Sequence, residues 1–195
     1  MNFKSQHWWK KWLAPLFLAL IVPALSSCKA QSNDEQAPPS KPPMGTKVAL
    51  TLTGYNYTNR YIDTFSVDGA GGGNLFVSHG ASGGGGSVCC VSYVTGARAR
   101  KVSVRWQTGA CTFGEYTNSS GVKYHEIHSF FKEVEVQIDP RIPDQPAYFE
   151  VHFYPDGHVE AAITEHASPP RLLLSKDRED RSHYPQCPND KEPEK

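Results

Sequence analysis

Ala147-Tyr148-Phe149-Glu150-Val151-His152-Phe153, Tyr154-Pro155-Asp156-Gly157 and His158-Val159-Glu160-Ala161-Ala162-Ile163 read together as a β-hairpin. Two apolar-rich runs flank a turn in which proline fixes one backbone dihedral and glycine supplies a positive one. Upstream, Lys132-Glu133-Val134-Glu135-Val136-Gln137-Ile138 alternates polar and apolar residues with a period of two. Lys101 to Gln107 does the same, with Val102, Val104 and Trp106 inward against Lys101, Ser103 and Arg105. Val48-Leu50-Leu52, Tyr61 to Val67, Val88 to Val94 and Val122 to Ile127 extend the pattern, and helical periodicity is nearly absent. The fold class that follows is all-β: an antiparallel β-sandwich of about seven to nine strands.

One segment departs from the alternation. Asp68-Gly69-Ala70-Gly71-Gly72-Gly73-Asn74 and Gly80-Ala81-Ser82-Gly83-Gly84-Gly85-Gly86-Ser87 flank the apolar Leu75-Phe76-Val77. A phosphate-binding loop would end in Gly-Lys-Ser/Thr and open a helix, and neither occurs. The segment reads as a flexible or closely packed loop, and as a candidate binding surface. Asn74, Phe76 and His79 are its candidate contacts, with Tyr55 and Tyr57 as exposed aromatics beside them, although tyrosine on a strand also packs half-buried.

The chain opens with Lys4, Lys10 and Lys11, continues into the apolar Leu16 to Ala24, and reaches Leu25-Ser26-Ser27-Cys28. The apolar core, interrupted by Pro15 and Pro23, is of signal-peptide rather than transmembrane length. An aliphatic residue, two small residues and a cysteine form a lipobox, so residues 1–27 are expected to be cleaved and Cys28 to carry two or three acyl chains. More than one chain holds a protein stably at a bilayer. In lipoproteins resembling this one, an aspartate after the cysteine favours the inner membrane; Lys29 stands here, which directs the expectation to the outer membrane and its periplasmic face. Residues 28–46, polar and proline-rich, read as a disordered tether, 47–174 as the sandwich domain, and 175–195 as a charged, partly disordered tail. The three lysines before Cys28 are lost with the signal and no acidic residue is, leaving 17 basic side chains against 20 acidic ones. That weak acidity speaks against a nucleic-acid partner.

Four cysteines remain once Cys28 is lipidated: Cys89, Cys90, Cys111 and Cys187. In an oxidising compartment they suggest one or two disulfides. Adjacent residues on a strand point to opposite faces, so Cys89 and Cys90 are expected to bridge separate partners, Cys111 and Cys187; a ring between neighbours requires a strained peptide. Zinc sites space paired cysteines two to four residues apart, which argues against metal. His125 and His128 face opposite ways on a strand. His152 and His158, with Glu150 and Glu160, are the one plausible two-strand ligand pair for an envelope metallohydrolase, against the reading of a solvent-facing polar row. There is no Gly-x-Ser-x-Gly elbow and no recognisable pair of catalytic carboxylates. No catalytic residue, metal or cofactor is therefore assigned.

Thr53-Gly54-Tyr55-Asn56-Tyr57-Thr58-Asn59-Arg60-Tyr61-Ile62, Gly85-Gly86-Ser87-Val88-Cys89-Cys90-Val91, Val102-Ser103-Val104-Arg105-Trp106 and Val151-His152-Phe153-Tyr154-Pro155-Asp156-Gly157 carry a resemblance. The chain resembles a family of proteobacterial lipoproteins of unknown function whose members are often encoded beside type VI secretion phospholipase effectors. The resemblance implies an immunity protein, anchored to the membrane through lipid, whose partner is a secreted lipase effector. It implies no catalytic residues. The alternative expectation is a general envelope lipoprotein that binds a small ligand, a glycan or a periplasmic assembly.

Overall fold

A computed structural model describes residues 40–77, 83–84, 88–97, 100–175, 177 and 179–194. The signal, Cys28, most of the expected tether and His79 lie outside these residues. Among the described residues, nine strands form two facing sheets. In the first, β1 (Lys47–Asn56) has β4 (Gly83–Gly84) and β5 (Val88–Val94) antiparallel along one edge. On its other edge lies β8 (Tyr148–Phe153), followed by β9 (Val159–Thr164). The second sheet is β3 (Ala70–Leu75), β2 (Ile62–Val67), β6 (Lys101–Thr117) and β7 (Lys123–Gln137), each pair antiparallel. The all-β sandwich is thus as the alternation predicts, with one difference: β1 and β8 run parallel. The second sheet intervenes between them in the chain, a crossover long enough for a parallel return.

The hairpin 147–163 forms β8 and β9, with Gly157 at φ 85° donating to the Tyr154 carbonyl at 3.0 Å. Leu50, Leu52, Phe65, Val67, Val104, Phe149, Val151, Phe153 and Ile163 are buried between the sheets. Each such side chain contributes about 1.5–3 kcal/mol when fully buried. Phe65 meets Phe153 edge-on at 5.4 Å. Glycine in the Asp68–Asn74 run serves this packing rather than a loop: the segment is strand β3, and a Cβ at Gly72 would run into the Phe65 ring.

β6 and β7 are longer than their alternation shows. Their pairing continues to Thr117 and Lys123, past two register shifts that leave Thr108 and Gly114 as extra residues on β6. Those bulges hide the strand from a period-two reading. Beyond the end of β2, the free edge of β6 is taken by the chain end: Thr112 donates to the Pro185 carbonyl at 2.9 Å and accepts from Cys187 N–H at 2.8 Å. Asp190 Oδ1 accepts from Gly114 N–H at 3.0 Å, and Arg181 N–H reaches the Asn59 carbonyl at 2.7 Å. The described part of the segment read as a charged, partly disordered tail is a strap along the sheet. The expected tether likewise ends early, since Gly45 N–H bonds the Thr95 carbonyl at 2.8 Å.

The strap also settles the cysteines. Cys187 is bonded to Cys111, with a Cα separation of 5.0 Å, and Cys89 is paired with Cys90 across a cis peptide. This corrects the expectation that Cys89 and Cys90 bridge separate partners. Cys111 sits on β6 of the second sheet, where the strap brings Cys187 to it, whereas Cys89 and Cys90 lie on β5 of the first. There the register shifts, Leu50 facing Val91 and Thr51 facing Cys89, so Cys90 is the extra residue of a bulge rather than a regular strand position.

Candidate functional site

The strap, the start of β2, the end of β3 and the β6–β7 hairpin enclose a cleft of about 470 Å³. Tyr61 and Phe76 form one wall, their rings tilted at 5.0 Å. Asn74 Nδ2 donates to the Tyr61 hydroxyl at 2.7 Å, and that hydroxyl donates to Asp63 Oδ1 at 3.2 Å. Burial, the larger cause, and the Asp63 carboxylate push the Tyr61 phenol up from its ordinary pKa, while the Asn74 bond works against them. The base is the amide of Gln107, 2% exposed: Oε1 accepts from Asp63 N–H at 3.0 Å and the Tyr184 hydroxyl at 3.5 Å, and Nε2 donates to Ser129 Oγ at 3.0 Å. Val77, Ile127 and Tyr184 complete the apolar lining. Phe76 and Ile127 remain 59% and 57% exposed, an uncommon state for large apolar side chains gathered at one place. Asp63 and Asp180 are the charged lining residues, and no lysine, arginine, histidine or cysteine lies among those described. The cleft suits an apolar segment that carries a positive charge.

A second cluster sits on the outer face of the first sheet. Alternation along β8 sends Phe149, Val151 and Phe153 into the core and Glu150 and His152 to the other side, yet both polar residues are fully buried. Tyr55, in register with His152, stacks on it at 4.4 Å, and the chain after β9 folds over the top. Glu150 Oε1 accepts from Ser168 N–H at 2.6 Å and Thr164 Oγ1 at 3.1 Å; its Oε2 lies 3.4 Å from His152 Nε2. Tyr57 OH is 3.0 Å from His152 Nδ1 and accepts from Arg171 N–H at 2.7 Å. Burial opposes ionisation of Glu150, but the bonds from His152, Ser168 and Thr164 outweigh it and hold the carboxyl down at about 2. Burial likewise pushes His152 down, against the pull of Glu150, so the ring is neutral. A neutral ring with Nε2–H toward the carboxylate leaves Nδ1 to accept from Tyr57. Burial and the Glu150 charge raise Tyr55 to about 12. The cluster is a clamp that closes the sheet, with no solvent access for a substrate.

Residues 55–161 match the family described as "Protein of unknown function (DUF3304)". The chain belongs to that family. No curated protein and no solved structure matches it. The family match starts at Tyr55 and ends at Ala161, so it spans Tyr61, Phe76, Gln107 and Ile127 of the cleft and Tyr55, Tyr57, Glu150 and His152 of the clamp. Ser182 and Tyr184 of the strap lie outside it.

Among the sequence-predicted contacts, Asn74 and Phe76 come together at the cleft. Tyr55 and Tyr57, expected on the surface, are 5% and 1% exposed and belong to the clamp. The chain just after β9, with Ser168 and Arg171, covers what would otherwise be an open sheet face. The same cover removes the solvent-facing polar row expected at Glu150 and His152. His158 does not join His152: it stacks on Tyr154 at 4.1 Å, and His152 stands opposite Glu160. Among the described residues no three side chains are grouped to hold a metal ion. Sequence reasoning missed Tyr61, Gln107, Ile127 and Tyr184, which lie far apart in the chain and carry no shared motif.

Proposed function

We propose that the chain is a lipid-anchored, non-enzymatic protein of the periplasmic face of the outer membrane that binds and inhibits a secreted type VI phospholipase. The cleft between the strap and the β6–β7 hairpin is the contact site in this reading. The observation that carries it is the exposure of Phe76 and Ile127 on a cleft whose base is rigidly hydrogen-bonded through Gln107. Exposed aromatic and aliphatic side chains on a preorganised frame are the usual anchors of a protein interface. The lipobox at Cys28 and the resemblance of residues 53–62, 85–91, 102–106 and 151–157 to lipoproteins encoded beside phospholipase effectors support the partner. A lipase delivered to the periplasm works at the membrane face, where an anchored inhibitor meets it at high effective concentration. Occupying the lipase cleft or clamping its lid would then stop hydrolysis without chemistry on the inhibitor.

A second reading has its own observation: about 470 Å³ is also the size of a small-molecule pocket, and Tyr61 and Phe76 offer a stacking wall for a glycan. Co-expression with a type VI phospholipase effector, directed to the periplasm, separates the two. Protection of the cells and recovery of a stoichiometric complex are expected. Lysis with no complex would refute the inhibitor reading.

A further inference from the structure

Strand β7 is the outer strand of the second sheet: its paired partner is β6, and among the described residues no strand is hydrogen-bonded along its other side, although its last residues approach β9. Only Ile138, just past its end, bridges Ala161 of β9. A fifteen-residue edge of this kind is a template for another strand. It is also apolar in an unusual degree, with Tyr124, Ile127, Phe130 and Phe131 between 39% and 57% exposed.

We infer that this edge pairs with β7 of a second copy of the chain, antiparallel, with Ser129 on the two-fold axis. The argument is the self-complementarity of Lys123-Tyr124-His125-Glu126-Ile127-His128-Ser129-Phe130-Phe131-Lys132-Glu133-Val134-Glu135. About Ser129, Lys123 meets Glu135 of the second copy, His125 meets Glu133, and Glu126 meets Lys132, each pair occurring twice by symmetry. Between them Ile127 meets Phe131, His128 meets Phe130 and Tyr124 meets Val134. Opposite charges and aromatic–apolar pairs directly across are the stabilising unit of a sheet. Other registers lose this match. A one-residue slip one way sets Glu126 against Glu133, and the other way sets Lys123 against Val134 and Glu126 against Phe131. The bulges lie on β6, so β7 itself is regular and offers an unbroken edge. Lys123 and Glu135 already face Glu115 at 2.8 Å and Lys101 at 3.3 Å on the β6 side, which holds both side chains in place beside the edge. The two-fold runs perpendicular to the sheet, so the clefts containing Ile127 and Ser129 of both copies open on one face; the pairing itself does not depend on what those clefts bind.

Carbodiimide coupling of the full chain in its membrane, followed by digestion and mass spectrometry, tests the pairing. Lys123 and Glu135 are twelve residues apart on one strand, roughly 40 Å at about 3.3 Å per residue, so a zero-length link between them has to join two copies. The Lys123–Glu115 link within one chain is the internal control. Both links are expected. The control without the Lys123–Glu135 link would overturn the proposal, as would a monomeric mass in detergent sedimentation or a link found only between β7 and the lipase. Lys123→Glu should weaken self-association about tenfold or more, because the reversed pair occurs twice. Adding Glu135→Lys to that variant should restore it; a double variant no better than the single one would also overturn the register.

Discussion

Replacing Glu150 with glutamine tests whether the buried carboxylate clamps the outer face of the first sheet. Glutamine keeps an oxygen for Ser168 N–H and Thr164 Oγ1, but it turns an NH₂ toward His152 Nε2, where the native carboxylate accepts. Two donors then face each other. The imidazole relieves this by moving its proton to Nδ1, which deprives the Tyr57 hydroxyl of its acceptor, while Tyr57 still accepts from Arg171. Upsetting a buried hydrogen-bond arrangement of this kind costs about 1–3 kcal/mol. The variant also changes the acid dependence. The native carboxyl is held at about 2 against an ordinary 4.5. That displacement stands for about 3 kcal/mol at about 1.36 kcal/mol per pH unit. A lowered carboxyl pKa stabilises above the unfolded value, so this contribution is present above 4.5 and is lost as pH falls toward 2. His152 acts in the same direction from a higher starting point. Below 6.5 the unfolded chain binds a proton that the buried ring refuses, so stability begins to decline there. Urea unfolding read by the fluorescence of Trp106, the one tryptophan after Cys28 and a core residue, measures both effects. Glu150→Gln should be less stable near neutrality by about 1–3 kcal/mol. The gap should narrow in acid, where the wild type gives up its carboxylate and the variant has none to lose. Equal stability at neutrality with parallel pH profiles would refute the clamp.

Phe76→Ala should weaken capture of the lipase by about 1–3 kcal/mol in titration calorimetry, while stability shifts by less than about 0.5 kcal/mol, because the ring is exposed. An unchanged affinity would remove the cleft from the interface. Cys187→Ser opens a loop with a sequence separation of 76 and should cost about 4 kcal/mol, and it should release the strap to proteolysis near Tyr184. A strap that stays protected would show that its hydrogen bonds to Thr112 suffice. Cys28→Ser should abolish incorporation of labelled palmitate; undiminished labelling would place the lipid elsewhere.

The alternation of Val102, Val104 and Trp106, of Val134, Val136 and Ile138, and the Pro155-Asp156-Gly157 turn are local signals, and they sufficed for an all-β sandwich and for the β8–β9 hairpin. Strand face is a property of neighbouring residues, so sequence carries it. Thr108 and Gly114 interrupt that period as bulges, which is why half of β6 was illegible. The cleft was legible only at Asn74 and Phe76. Its other walls come from the strap and from the hairpin, brought together by the Cys111–Cys187 bond and by the pairing of Thr112 with Pro185 and Cys187. Tyr55, Tyr57, Glu150 and His152 show the same division. They were expected to be exposed and do lie on the face away from the core, but whether that face meets water depends on where the chain after β9 is laid. Sequence by itself determined which side chains share a face of a strand, because that follows from the two-residue repeat of the extended backbone. Tertiary structure alone decided which faces are covered and which cysteines meet, because contacts between distant segments depend on how the strands stack and where the strap docks.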